Sequence, residues 1–268
     1  SQAVLWASQN IAPEEKPSEV VLAEPYLMGS HSGESGAWVS GPEDVAPSEY
    51  RWGYSKMTTV RGLFAAGDGV GASPHKFSSG SFTEGRLAGK SAVAFAHDHP
   101  NGPNLDGNKV KNLMKEIWEP LATLDRYKGA STNIDVNPNY LLPKQGLLRL
   151  QKIMDEYAAG VSAGFTTNGP TLERGLELMA MFREDLQRLA ARDRHELLRC
   201  WELVHRTWVG EAHMRHLLHR EETRWPGFYY RTDYPDMDEA NWKVFVNSRY
   251  DAESEQWSVF TKPCLDIF

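Results

Sequence analysis

The sequence has 268 residues, of which 41% are hydrophobic and 24% charged, and its formal net charge is −7. This composition provides enough apolar side chains for one large domain or two small ones, and it excludes an intrinsically disordered chain. The acidic balance argues against nucleic acid as the main partner. Since no apolar run approaches about 18 residues, we expect no membrane span.

The two cysteines and the first residue bear on the cellular setting. Cys200 and Cys264 are too few and too far apart for a disulfide framework or a CxxC metal site, so we expect a reducing, cytoplasmic protein. The chain begins with Ser1, and its first residues lack the ordered regions of a signal peptide. A processed protein and a piece of a longer chain both fit this start.

The first part of the chain differs in character from the rest. Residues 1–107 are rich in Gly, Ser and Pro, which predicts short strands, tight turns and loops. After Asn108 apolar side chains recur at helical spacing, and from about Trp225 aromatic side chains form a strand-like pattern. We therefore divide the chain into three parts, residues 1–107, 108–222 and 223–268.

The helical part contains three periodic segments. They lie at residues 108–127, 147–161 and 170–219. The third segment begins with Pro170, which suits a first helical turn, and we expect a turn near Gly210 to divide it. Periodicity alone predicts a globular protein and does not indicate its chemistry.

The string TTVRGLFAAGDG carries the first indication of a ligand site. Residues 59–60 and 63–66 predict a pair of strands that ends at Gly67. Asp68 follows where a strand commonly gives way to a ligand-facing loop. A carboxylate between glycines suits a sugar hydroxyl, because glycine lets a ligand approach the backbone closely.

Three serines precede the helix that is predicted after this loop. They are Ser78, Ser79 and Ser81, and the helix is expected to run through Arg86 to about His97. A helix N-terminus carries free N–H groups and the positive end of the helix dipole. The serines therefore suit a phosphate or a reduced ring with negative charge, although such serines are more often plain N-caps.

The string GDGVGA is a weak dinucleotide-binding motif. It reads G-x-G-x-G, lacks the third glycine at the required offset and does not lead directly into a helix. On spacing alone, a glycine-rich turn between strands is the better interpretation.

Two strings together resemble the C-terminal flavin-binding segment of the fumarate reductase and succinate dehydrogenase flavoprotein superfamily. They are VRGLFAAGDGVGA and EGRLAGKSA. Within that superfamily, four further strings resemble the alpha subunits of dissimilatory adenylylsulfate (APS) reductases almost residue for residue. They are EPYLMGS, GSHSGESGAWVSGPED, GVGASPHKFSSGS and NSRYDAESEQWSVFTKP, so the resemblance covers essentially the whole chain.

This resemblance implies a fold and an activity. The fold class is α/β, the C-terminal part of an FAD-binding fold, followed by an α-helical bundle and a short β-rich tail. The activity is that of an oxidoreductase with FAD, which interconverts APS with sulfite and AMP through a flavin N5–sulfite adduct. The implied partner is an iron–sulfur beta subunit, since two cysteines cannot hold an iron–sulfur cluster in this chain.

The resemblance also implies roles for particular residues. His31, in GSHSG, matches the active-site histidine, and Phe77 matches the aromatic ring that stacks on adenine. Asp68 and the three serines are expected to hold FAD. Without the resemblance, His31 would be interpreted as a turn residue and Phe77 as a core residue.

The sequence departs from the superfamily pattern where dicarboxylates bind. Fumarate reductases and aspartate oxidases have an HGANR string with an arginine, and this chain has HKFSSGS instead. At the position of their ESRGAH string it has ETRWPGF, where only Glu222 and Arg224 match, so we assign Arg224 no catalytic role. A fumarate-reductase-like or aspartate-oxidase-like flavoprotein is therefore the weaker alternative.

A third hypothesis is a catalytically silent C-terminal piece that only mediates subunit contacts. Flavoproteins of this superfamily bind the FAD pyrophosphate with a strand–GxGxxG–helix unit, and the 268 residues contain none. We expect the chain to be the C-terminal portion of a flavoprotein about twice as long or more, and to be inactive alone.

Three histidines form an HxxHxxH pattern, at His213, His216 and His219. Steps of three residues drift by about 60° around a helix, so the three side chains share a face poorly. Packing or solvated histidines are therefore expected here rather than a metal site.

Overall fold

The computed structural model describes residues 12, 15, 35–40, 53–71, 78–224 and 229–264. The chain divides into two compact units, Ser1–Asp98 and His99–Phe268. The first unit contains the ligand-site strings, and the second contains the helical segments and the strand-like tail. The boundaries after residues 107 and 222 remain predictions.

The first unit combines short extended segments with one long helix, α1, at Ser78–Asp98. Isolated β-bridges join Ala37 to Val70, Val39 to Thr58 and Met57 to Phe64. The predicted pairing of residues 59–60 with 63–66 is wrong, because residues 59–62 form the tight turn itself. Gly62 closes this turn with a φ of 85°, and the N–H of Thr58 donates to the carbonyl of Leu63 at 2.8 Å.

The second unit consists mainly of helices. Helices α2 to α6 span Gly107–Tyr127, Pro143–Tyr157, Gly169–Leu186, Arg194–His219 and Glu239–Trp242. Strands β1 to β4 span Thr166–Thr167, Tyr230–Arg231, Val244–Asp251 and Gln256–Pro263. Within the described part of the chain, none of the helices combines the length and apolar character that a bilayer crossing requires.

Side chains that accept hydrogen bonds mark the helix starts. Asp106 precedes α2 and Asp193 precedes α5, and each accepts two backbone N–H groups of the first turn. Asn168 accepts the N–H of Thr171 at 2.9 Å ahead of α4, where Pro170 occupies the first turn as predicted. Such caps stabilise a helix by about 1 kcal/mol each. Asp193 lies between the end of α4 and the start of α5, so its cap marks the boundary between these two helices.

Helices α3, α4 and α5 pack around an apolar core. Its most deeply buried side chains include Leu172, Met179, Phe182, Leu203 and Met214. Glycines let the helices approach closely, since a Cβ on Gly175 would lie 2.7 Å from Cβ of Tyr157 and one on Gly210 would lie 3.0 Å from Sδ of Met154. The predicted turn near Gly210 is therefore wrong, because that glycine lies inside α5 and makes room for α3.

Strands β3 and β4 form an antiparallel hairpin that packs on α5. The register runs from Val244 opposite Pro263 to Asp251 opposite Gln256. Arg183 of α4 lies 4.0 Å above the ring of Trp208 and donates to the buried carboxylate of Glu211 at 3.0 Å. Tyr250 of β3 packs edge-on against Trp208, with ring centroids 4.5 Å apart. The cation–π contact and the ion pair thus join α4 to α5, and the ring contact of Tyr250 fastens the hairpin to α5.

Arg231 on β2 is fully buried, and β2 pairs in parallel with β1. Its guanidinium donates to the carbonyl oxygens of Leu217 and Arg220, at the end of α5. It also donates to both carboxylate oxygens of Asp233, at 2.8 and 2.7 Å. Asp233 accepts the N–H of Gly169, the first residue of α4, at 2.8 Å. Arg231 and Asp233 therefore join the end of α5 to the start of α4.

Acid should weaken this junction. Hydrogen bonds from Arg231 lower the pKa of Asp233 from 3.8 to about 2. Because the pKa is lower in the folded chain, the carboxylate stabilises the fold above about pH 4, and this contribution is lost as the pH falls towards 2. Part of the group faces solvent, which screens the pair, so we expect a loss of about 1 kcal/mol.

Urea unfolding of the chain and of the variant Asp233→Asn at pH 6 and at pH 2.5 measures this effect. The difference in unfolding free energy between the two proteins should shrink at the lower pH. A difference that stays constant would show that the Asp233 carboxylate is not the group that titrates.

Candidate functional site

The Asp68 loop is a short 3-10 turn, Gly67–Gly69. Gly67 adopts a φ of 63°, in the left-handed region that favours glycine, and is buried. The N–H of Val70 donates to the carbonyl of Gly67 at 3.0 Å and closes the turn. Asp68 is exposed at the tip, so the turn presents a carboxylate to solvent.

The first turn of α1 lies directly against this glycine turn. A Cβ on Gly67 would lie 3.0 Å from Oγ of Ser81 and 3.4 Å from its Cβ. Ser78 is exposed at the start of the helix, and Ser81 is half-buried. The fold therefore brings the Asp68 turn next to the backbone N–H groups of the helix N-terminus, which favour anionic ligand atoms.

A third segment, residues 35–40, runs beside the glycine turn. The N–H of Ala37 donates to the carbonyl of Gly69 at 2.8 Å, and the N–H of Gly71 donates to the carbonyl of Ala37 at 3.0 Å. Gly36 makes the approach feasible, since a Cβ there would lie 2.4 Å from the carbonyl carbon of Val70. The segment follows closely on the GSHSG string in sequence, and its first residues lie beside the turn that carries Asp68.

A buried acid connects these pieces, and sequence reasoning missed it. Glu84, on α1, accepts the N–H of Gly67 at 2.7 Å and receives Nζ of Lys56 at 3.1 Å. Both side chains are largely withdrawn from solvent, with 18% of Lys56 and 12% of Glu84 exposed. The only sequence signal is an acid about two turns after a helix start, directly before a glycine.

The structure brings some of the predicted site residues together. Asp68, Ser78 and Ser81 lie at the glycine turn and the start of α1. His31, Phe77 and the side chain of Ser79 lie outside the described residues, so their assignments remain predictions. The described site offers a carboxylate for hydroxyl groups beside helix N–H groups for an anionic group.

The histidines of the HxxHxxH pattern lie in the other unit, and two of them pack against the tail. His216 Nε2 lies 2.8 Å from Oγ of Ser248 on β3, and burial lowers its pKa to about 4. His219 packs edge-on against Trp242, with ring centroids 5.7 Å apart, and His213 is exposed. These contacts join α5 to the tail.

Arg224 is engaged by carboxylates of its own chain. Its guanidinium donates to Glu222, which is fully buried, and to Glu239 at 2.6 Å. The hydrogen bond with Glu222 holds the pKa of Arg224 above its usual value. These contacts give Arg224 a structural role, in keeping with the absence of a catalytic assignment.

Comparison with known proteins relates this chain to flavoproteins. The family model described as "Fumarate reductase flavoprotein C-term" matches residues 148–265. Adenylylsulfate reductase subunit alpha of Megalodesulfovibrio gigas is 47% identical over 273 residues, which cover 99% of this chain and 41% of that relative. Over almost its whole length, this chain is similar to an adenylylsulfate reductase alpha subunit. The resemblance predicted from the sequence strings is thus confirmed.

Solved adenylylsulfate reductases share the fold. The structure from Archaeoglobus fulgidus is 57% identical with a TM-score of 0.88, and the match covers 99% of this chain and 42% of that one. A structure described as adenosine-5-phosphosulfate reductase in complex with sulfite, as a covalent adduct, matches with the same identity, coverage and TM-score. The predicted fold class is confirmed by these matches and by the family model.

More distant structures share the fold alone. The quinol fumarate reductase flavoprotein FrdA of E. coli is 20% identical with a TM-score of 0.56, over 80% of this chain and 35% of that one. The present chain spans about two fifths of the length of the adenylylsulfate reductase relatives. The activity of the whole protein is therefore a matter of proposal.

Proposed function

We propose that this chain forms part of the FAD-carrying subunit of an adenylylsulfate reductase, which interconverts APS with sulfite and AMP. The observation that carries the proposal is the similarity to adenylylsulfate reductase alpha subunits over 99% of the chain. One of the similar structures contains covalently bound sulfite, the product of APS reduction.

The described residues fit FAD. Asp68 presents an exposed carboxylate that suits the ribityl hydroxyls, and the N-terminus of α1 beside it suits the electron-rich part of the ring system. No atom of the described residues lies within 4 Å of a Cβ built on Gly69, which leaves room there for a ligand beside the backbone. Ser78, Ser79 and Ser81 would contribute hydroxyl groups. Bound FAD supplies the two-electron chemistry at sulfur.

Two further residues are proposed to act on the substrate. His31 would donate a hydrogen bond to the sulfo group, or carry a positive charge beside it, and so stabilise negative charge that develops on oxygen. Phe77 would stack on the adenine ring, which positions the sulfo group and excludes water from one face of the base.

The proposal includes a partner and a setting. An iron–sulfur beta subunit would deliver the electrons. The cellular location would be the cytoplasm, because both cysteines are free thiols: Cys200, which is buried, and Cys264. A fumarate-reductase-like activity is disfavoured, since HKFSSGS lacks the arginine of the HGANR string. The 268 residues alone are expected to be inactive, because they span only part of the relatives.

An assay of the complete alpha subunit with its partner tests this function. With APS and a reduced electron donor, we expect sulfite and AMP in equal amounts, and sulfite with AMP should bleach the flavin absorbance. Fumarate should give no succinate. Succinate formation without any release of AMP from APS would contradict the proposal.

The isolated 268-residue chain is the matched control in this assay. We expect it to form no AMP. Turnover of APS by the isolated chain would contradict the expectation that it is inactive alone, while leaving the assigned reaction in place.

A further inference from the structure

Glu84 is a buried acid that none of the proposed binding or catalytic roles uses. It lies on α1, 9% exposed, two residues before the arginine of the GRLAG string. One carboxylate oxygen accepts the N–H of Gly67 at 2.7 Å, and the other lies 3.1 Å from Nζ of Lys56. A charge-assisted bond to a buried backbone N–H is among the stronger hydrogen bonds in proteins.

The Lys56 end of this connection is itself held firmly. Lys56 has a φ of 66°, which is uncommon for a residue with a Cβ. Its N–H donates to the carbonyl of Ser40 at 2.8 Å, and its carbonyl accepts the N–H of Ala65 at 3.1 Å. The side chain of Lys56 therefore projects from a fixed backbone towards Glu84, and both ends of the ion pair are anchored.

The hydrogen bond between Gly67 and Glu84 determines the position of the Asp68 carboxylate, because Asp68 follows Gly67 in the same turn. Gly67 has a φ of 63°, so the 3-10 turn Gly67–Gly69 leaves the preceding chain at a sharp angle. The absence of a side chain on Gly67 allows the turn to lie close to α1, because a Cβ there would lie 3.0 Å from Oγ of Ser81. Glu84 pulls the same glycine towards the helix. The close approach at Gly67 and its hydrogen bond to Glu84 together fix the turn relative to α1.

We propose that Glu84 is a positioning residue, which sets the Asp68 carboxylate at a fixed place relative to the N-terminus of α1 and thereby determines the affinity for FAD. The inference rests on the proposed FAD site. Groups that bind two parts of one ligand contribute fully only when their separation is fixed before binding. Without the bond from Gly67 to Glu84, ligand binding must also order the turn.

The test uses the complete alpha subunit with its partner, stripped of flavin and titrated with FAD. Glu84→Ala should raise the dissociation constant for FAD at least tenfold. Glu84→Gln keeps an oxygen for the N–H of Gly67 and should stay within about threefold of the native protein, because this bond matters more than the ion pair. Glu84→Asp keeps the charge, but its carboxylate is one methylene too short, so it should bind FAD more weakly than Glu84→Gln.

Asp98→Asn is the matched control, because Asp98 lies on the same helix and accepts a hydrogen bond from Tyr54 at 2.8 Å. It should leave the FAD affinity unchanged. The melting temperature of each flavin-free variant separates positioning from general stability. For Glu84→Asp we expect a near-native flavin-free melting temperature but a smaller rise on addition of FAD.

The outcomes distinguish the inference from the function on which it rests. If Asp68→Ala weakens FAD binding while Glu84→Ala and Glu84→Asp bind as the native protein does, the positioning role is wrong and the FAD site stands. If the native subunit binds no FAD, the proposed function and the inference both fail. If Glu84→Ala does not fold, the comparison of Glu84→Asp with Glu84→Gln decides, and equal affinities overturn the inference.

Discussion

Replacing Arg231 with methionine should lower the free energy of unfolding by about 3–5 kcal/mol, the usual cost of breaking a buried ion pair by removing one partner. Methionine has a similar length but no donors. The carbonyl oxygens of Leu217 and Arg220 would lose a buried partner, and Asp233 would keep only its bond from Gly169. Guanidinium chloride unfolding, followed by far-UV circular dichroism, measures the change.

The exposed pair between Arg174 and Glu177 provides the control for this substitution. Their nitrogen–oxygen distance is 2.6 Å, but 56% and 64% of the two side chains are exposed. Arg174→Met should therefore cost less than about 1 kcal/mol. If Arg231→Met lowers the free energy of unfolding no more than Arg174→Met does, the buried guanidinium does not stabilise the end of α5.

Replacing His31 with asparagine should lower kcat for APS reduction about 10²–10³-fold, the typical effect of losing one group that stabilises a developing oxyanion. The comparison uses the complete alpha subunit with its partner. Asparagine can still donate a hydrogen bond, but it cannot carry the positive charge of an imidazolium beside the sulfo group. The rate of AMP release gives kcat, and flavin absorbance gives the FAD content, which should not change.

His195→Asn serves as the control, because His195 is exposed on the first turn of α5. This variant should retain the native rate. A native kcat in His31→Asn with full FAD content would remove His31 from the catalytic residues. Loss of FAD together with activity would instead assign His31 to cofactor binding.

Periodicity predicted the helices well and their interruptions poorly. The segment 108–127 coincides almost fully with α2, although most of its apolar face is exposed and only the end of the helix is buried, at Leu124. The turn expected near Gly210 illustrates the limit. Glycine is a common helix breaker in sequence terms, but here it lies within α5 because Met154 of α3 occupies the space of the missing side chain. The close packing of α3 against α5, which local sequence does not reveal, therefore explains the glycine at position 210.

The candidate site could be predicted in part for the same reason. Asp68, Ser78 and Ser81 belong to one continuous string, so the resemblance could place all three beside one ligand. Glu84 could not be recognised, since its partners Lys56 and Gly67 lie 28 and 17 residues away in sequence. No local sequence pattern indicates that Lys56, in a left-handed backbone conformation, will form an ion pair with a residue of α1.

The close approach at Gly175 has an evolutionary consequence. The apolar residues around it can exchange for others of similar volume, because neighbouring side chains can adopt new rotamers. A Cβ at position 175 would meet Cβ of Tyr157, an atom held by its own backbone, at 2.7 Å. Accepting even an alanine there requires one helix axis to shift, so divergence of the bundle is restricted more tightly at this glycine than at any flexible side chain around it.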